Sequence, residues 1–200
     1  AGLATPAEPP PPAPEHCDFC GGEIAPEHRH VLDLEERRIL CTCEPCLIRQ
    51  EGLARYRPTG RRLVALDGLE LSEELWSRFQ IPVGLAFFLR SSAAGRLVAL
   101  YPSPAGATES ELDLAAWEEL RRSEPLLDEL EPDTEALLVS RTVAPPAYFI
   151  APIDECYRLV GLIKSRWRGI SGGTEAEAAI SGFLTGLRER ALTAAGGRAP

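Results

Sequence analysis

Two hundred residues at 21.7 kDa allow one compact domain, or one domain with a small satellite. Thirty acidic residues against 21 basic ones leave a formal charge of -9 and a pI near 5.0, which speaks against nucleic acid or an anionic membrane surface as a partner. The longest apolar runs, such as Val83 to Leu89, fall far short of the roughly 18–20 residues of a membrane span, and no signal-like apolar core follows a basic region at the amino terminus, so a soluble, cytoplasmic chain is expected.

The sequence begins at Ala1 rather than Met and reads as trimmed. Residues 1–14 form a proline-rich leader: from Pro6 to Pro14 most positions lack a backbone donor, which favours polyproline II over helix or ladder. Residues 15–54 then hold five of the six cysteines and all three histidines, a density that no ordinary core segment needs. Cys17-Asp18-Phe19-Cys20 and Cys43-Glu44-Pro45-Cys46 are two C-x2-C knuckles 22 residues apart, a spacing by which two thiolate pairs close a tetrahedron around one zinc ion. Glycine behind the first knuckle permits the positive φ that lets amides approach the sulfurs. Cys17, Cys20, Cys43 and Cys46 are therefore the expected metal ligands, and zinc the expected ion.

Between the pairs, His30 to Cys41 reads as a hairpin turning at Glu35-Glu36, as in a zinc ribbon. That register sets His30 opposite Cys41 and His28 opposite Cys43. Cys41 and His30 are thus alternate ligands. A surplus of soft ligands also fits iron or an iron–sulfur cluster on Cys41, Cys43, Cys46 and one of the first pair. Residues 55–62, with four Arg and a Pro-Thr-Gly turn, read as a basic linker; since residues 15–62 carry nine acids against eight Arg, an acidic protein partner suits them better than DNA.

Residues 63–192 read as an α+β domain, an antiparallel sheet with packed helices, and 193–200 as a flexible tail. Val83 to Leu89 and Arg96 to Tyr101 suggest a hairpin, while Glu135 to Ser140 and Tyr148 to Ala151, parted by Pro145-Pro146, suggest two more strands of a four-stranded sheet. Ser72 announces one helix; capping boxes at Thr108/Glu111 and Thr174/Glu177 announce two others. A fourth, from Ile153 to about Trp167, puts Cys156, Leu159, Val160 and Ile163 on one face and makes Cys156 a core residue. The small-residue loop from Ser103 to Ser110 and the acidic pair Asp154-Glu155 are the sites an enzyme would use. The loop lacks the pattern of a phosphate-binding loop, adjacent helical carboxylates do not converge, and every His precedes residue 31, so no catalytic residue is assigned.

The Cys17/Cys20 knuckle, His28-Arg29-His30, Cys41-Thr42-Cys43-Glu44-Pro45-Cys46, Gln80 to Phe88, Tyr101 to Ser110 and Pro152 to Tyr157 together resemble an uncharacterised family of actinobacterial proteins, over nearly the whole chain behind the leader. Genes of that family lie beside those for high-affinity nickel–iron hydrogenases. The resemblance implies an accessory role, with a hydrogenase subunit or maturation protein as partner. The expectation is a non-catalytic metal-binding accessory or assembly factor; the alternative is an iron-binding electron carrier serving the same enzyme.

Overall fold

The computed structural model describes residues 14–166 and 173–193. Apart from Pro14 and Thr193, the expected leader and tail lie outside them, as do Trp167, Gly169 and Gly172.

The described residues divide into a small cysteine-rich module and a larger body. The module holds β1 (Glu15–His16) paired with β2 (Glu23–Ile24), then β3 (Arg29–Asp33), β4 (Arg38–Thr42), α1 (Glu44–Gln50) and β5 (Tyr56–Pro58), with β4, β3 and β5 in one antiparallel sheet. The hairpin has the register expected from its turn, with His30 opposite Cys41 and Val31 opposite Leu40. Asp33 closes that turn by accepting from the N–H groups of Glu35 and Glu36, and its other contacts come from the Arg55 guanidinium at 2.6–3.1 Å. Residues 55–58 of the stretch expected to be a linker are thus held within the module, whereas Arg62 reaches Glu129 and Glu135 of the body. Tyr56 to Pro58 complete the module's sheet because the β3 edge would otherwise leave unpaired backbone groups.

The body is built on a seven-stranded sheet. It adds β6 (Val64–Ala65), α2 (Glu73–Arg78), β7 (Leu85–Ser91), β8 (Arg96–Ser103), β9 (Gly106–Ser110), α3 (Leu114–Ser123), a 3-10 turn at Pro125–Glu129, β10 (Glu135–Ser140), β11 (Ala147–Pro152), α4 (Ile153–Arg166), α5 (Gly173–Arg190) and β12 (Leu192–Thr193). The strand order is β12-β6-β11-β10-β7-β8-β9, antiparallel throughout except for the parallel β12-β6 pair. Four expected strands thus become seven: β6 and β12 carry too few residues for a pattern to register, and β9 lies where the sequence suggested a loop and a helix start.

Both faces of this sheet are covered, which explains why its strands read as continuous apolar runs rather than alternating ones. Leu85, Phe87 and Leu89 of β7 join Val98, Leu100, Leu138 and Phe149 beneath α4 and α5. The intervening Ala86 and Phe88 join Ala99, Leu137 and Ile150 beneath α2 and α3, where Trp76, Phe79, Trp117 and Leu120 close the other core. The result is a three-layer body with helices on both sides of the sheet.

Two expected helix starts are corrected. Thr108 does not cap α3; it pairs with Tyr101 across β8 and β9. Gly106, at φ 117°, turns the chain back on itself, and Ser103 Oγ holds that turn by accepting from the Ala105 N–H and bonding Thr108 Oγ1 at 2.8 Å. The small-residue stretch from Ser103 to Ser110, expected to be a loop leading into a helix, is consequently a hairpin. Asp113 is the true cap, its carboxylate accepting from the N–H groups of Ala115 and Ala116 and facing Arg78 Nε at 3.1 Å. The Ala116 N–H foremost, with Arg78 and the Ala115 N–H, holds the Asp113 carboxyl below its ordinary range against an opposing effect of burial. Because the folded-state pKa lies below the unfolded one, this contribution is complete above about pH 4 and is lost as the pH falls through the folded value. Asp113→Asn is expected to melt below the wild type at pH 6, by a gap that narrows as the pH is lowered below about 4. A gap that does not narrow at low pH would contradict the charge-based account.

Thr174 and Glu177 likewise lie inside α5, which begins at Gly173 rather than being capped by Thr174. Ser72 caps α2 as expected, accepting from the Leu75 N–H at 3.1 Å.

Candidate metal centre

The first knuckle is a tight turn. The Cys17 N–H donates to the Gly22 carbonyl and the Gly21 N–H to the Cys17 carbonyl, each at 2.8 Å, while Gly21 takes φ 71°, where a side chain would be strained. This brings Cys17 and Cys20 to one end of the hairpin. The second pair is not on a matching knuckle, as the ribbon expectation required. Cys43 is the N-cap residue of α1 and Cys46 sits in its first turn. Helix wins over knuckle there because Glu44 and Pro45 both suit a first turn, Pro45 having no N–H to leave unpaired.

The four sulfurs converge. One Sγ from each of Cys17, Cys20, Cys43 and Cys46 lies within 4.8 Å of the others, and Cys20 Sγ stands 3.9 Å from Cys43 Sγ. A tetrahedral ion with metal–sulfur bonds of about 2.3 Å has sulfur–sulfur edges of about 3.8 Å, so the spacing fits a zinc-sized ion. All six cysteines are free, and no disulfide competes for these sulfurs.

The thiols are electrostatically unequal. Burial raises the Cys17 pKa, but the N–H groups of Cys43, Phe19 and Cys20 and the Cys20 side chain outweigh it and bring Cys17 down to about 6. Cys46 is pushed up to about 12, first by its bond with Cys43 and then by burial. Metal binding therefore has to displace protons from the set, and affinity falls with pH.

The module has little else to hold it. Its own core consists of buried Val31, Leu40 and Leu47, with Phe19 and Tyr56 packed on the edge. Three aliphatic side chains are too few to order some forty residues, a deficit that a structural metal makes up in small domains.

The alternate ligands form a group of their own. His28, His30 and Cys41 each offer a ligand atom within 4.8 Å of the others. The pleat explains the separation, because His30 and Leu32 of β3, with Ile39 and Cys41 of β4, share the face that lies toward the body, where Leu32 borders a cavity of about 30 Å³ with Leu89, Leu100 and Ile153. His28 precedes β3, so the pairing with Cys43 expected from the register does not form. Burial raises the Cys41 pKa, and the charges of Asp18, Glu15 and Cys17 raise it further.

Sequence reasoning missed one member of this neighbourhood. Asp154, read as a first-turn acid of α4, faces His30 Nδ1 at 2.9 Å, while Glu155 beside it pairs with Arg190 at 2.7 Å. No sequence signal links Asp154 to His30, since only the docking of the hairpin on the body joins them. Cys156 is fully buried in the core, its thiol pushed up by burial and by Asp154 and Glu155. The basic stretch presents less charge than its composition suggests: Arg55 is taken up by Asp33, Glu35 and Glu36, and Arg62 by Glu129 and Glu135. Among the described residues, no helix is long and apolar enough to cross a membrane.

Fold and site together define a two-part protein, a three-layer α/β body bearing a thiol-rich module with metal-ligand geometry. The chain belongs to the family described as Family of unknown function (DUF5947), whose model matches residues 16–191. No curated protein and no solved structure matches it.

Proposed function

We propose that this protein is a non-catalytic, cytoplasmic, metal-binding accessory or assembly factor whose four-cysteine centre holds zinc and folds the module into a docking element. The observation that carries the reading is the convergence of four free cysteine sulfurs beside a core of three buried aliphatic residues. Such a centre, closed by four protein sulfurs, leaves no coordination position for a substrate and serves architecture. The proposed partner is a nickel–iron hydrogenase subunit or maturation protein, supported by the sequence resemblance.

Metal analysis with an absorption spectrum, on the full chain purified without oxygen, tests the centre. A colourless protein holding zinc that survives in Cys41→Ser supports the reading. Iron with visible charge-transfer bands, lost in Cys41→Ser, replaces it with the electron-carrier reading. Affinity capture from cells making a nickel–iron hydrogenase tests the partner: recovery of a subunit or maturation protein of that enzyme is expected, and recovery of none overturns that part.

A further inference from the structure

The group formed by His28, His30 and Cys41 has a feature that simple packing does not account for. His28 Nδ1 lies 2.9 Å from the Ala25 carbonyl oxygen and 3.3 Å from Glu15 Oε2. A carbonyl only accepts, so Nδ1 is the donor here, which leaves Nε2 as the ring atom that an ion could take. That Nε2 is buried with no hydrogen-bond partner, on a side chain only 6% exposed. A buried ring nitrogen left unpaired is destabilising, and a bound ion removes that cost. His30 is arranged in the same sense: its Nδ1 faces the Asp154 carboxylate at 2.9 Å, which leaves Nε2 as the free ligand atom. Engagement of the far ring nitrogen by a carbonyl or carboxylate is how metal-bound histidines are oriented and made more basic. The ring centroids are 4.6 Å apart, and Cys41 stands across the ladder from His30.

We propose that His28, His30 and Cys41 form a second metal site, separate from the four-cysteine centre, for a divalent first-row cation such as zinc or cobalt. Two imidazoles and one thiolate are a borderline donor set suited to such ions, and three protein ligands leave a fourth position open. His28, His30 and Asp154 line a cleft of about 780 Å³ between the module and the body, where carboxylates outnumber guanidinium groups five to three. The open position therefore faces a solvent-reachable, cation-attracting space, and the ion held there exchanges with solution. Asp154 is a positioning residue that acts through His30. The site requires the module to be folded, so it rests on the proposed four-cysteine centre, although its ligands are distinct.

The experiment uses the full chain with zinc in the four-cysteine centre, washed briefly with a chelator and titrated with Co2+. One further equivalent is expected, with tetrahedral d–d absorption and a charge-transfer band from a single thiolate. His28→Gln abolishes that equivalent and retains the zinc. Cys41→Ser removes the charge-transfer band. Asp154→Asn, which alters neither ligand set, weakens Co2+ binding about 10–100-fold while zinc content and melting temperature stay unchanged. Absence of a second equivalent in the zinc-loaded wild type, or equal Co2+ binding by wild type and His28→Gln, overturns the second site and leaves the four-cysteine centre standing. Zinc retained in Cys43→Ser overturns the four-cysteine centre instead.

Discussion

Cys43→Ser is expected to lose the tightly held metal and to unfold the module while the seven-stranded body stays folded. Cys43 is both a converging sulfur, 3.9 Å from that of Cys20, and the residue whose carbonyl accepts the first helical bond of α1, from the Leu47 N–H at 2.9 Å. Structural zinc contributes about 10–16 kcal/mol of apparent binding free energy in small zinc-folded peptides, and a hydroxyl does not replace a thiolate in such a set. The module's own core of Val31, Leu40 and Leu47 does not make up that loss. Two probes separate the parts. Arg29, Arg38 and Arg49 of the module become open to trypsin, whereas fluorescence of the buried Trp76 and Trp117 of the body keeps its native signature. Unchanged zinc content, or loss of the tryptophan signature together with the module, would contradict the expectation.

The complementary change strikes the body. Phe88→Ala is expected to cost about 3–5 kcal/mol, the range for truncating a buried aromatic, and to lower the melting temperature by roughly 6–20 °C for a chain of this size. Phe88 is fully buried, stacks on Trp117 at 5.6 Å and packs against Phe79 at 4.9 Å. It also sits on β7 between β8 and β10, opposite Ala99 and Leu137, where no surface rearrangement refills the space. Zinc content at low temperature should be unaffected, because no cysteine of the four-sulfur set belongs to that core. A thermal melt followed by fluorescence reads the first effect and metal analysis the second. A loss under about 1 kcal/mol would show that the aromatic cluster is not packed as described.

How much of this was legible in the sequence depends on the range of the interaction concerned. The knuckle spacing and the hairpin register from His30 to Cys41 follow from chain geometry over a few residues, and the Ser72 cap and the apolar stripe of α4 follow from local pattern. The segment from Ser103 to Ser110 misled because Thr108 and Glu111 satisfy a capping pattern, yet pairing with β8 offers Thr108 a full ladder. The second cysteine pair misled in the same way, C-x2-C being compatible with a knuckle or with the first turn of a helix.

By itself, the sequence determined which sulfurs can meet, which strands are apolar enough to be central and that a membrane-spanning helix was not to be expected, because composition and short-range spacing carry that information. Only the tertiary structure decided that Cys41 and His30 stand apart from the four-cysteine set with His28, that Asp154 faces His30, and that Arg55 to Pro58 belong to the module. Those outcomes depend on which face of a pleated hairpin docks on a distant helix. That choice is made by packing between segments far apart in the chain and leaves no trace in local pattern.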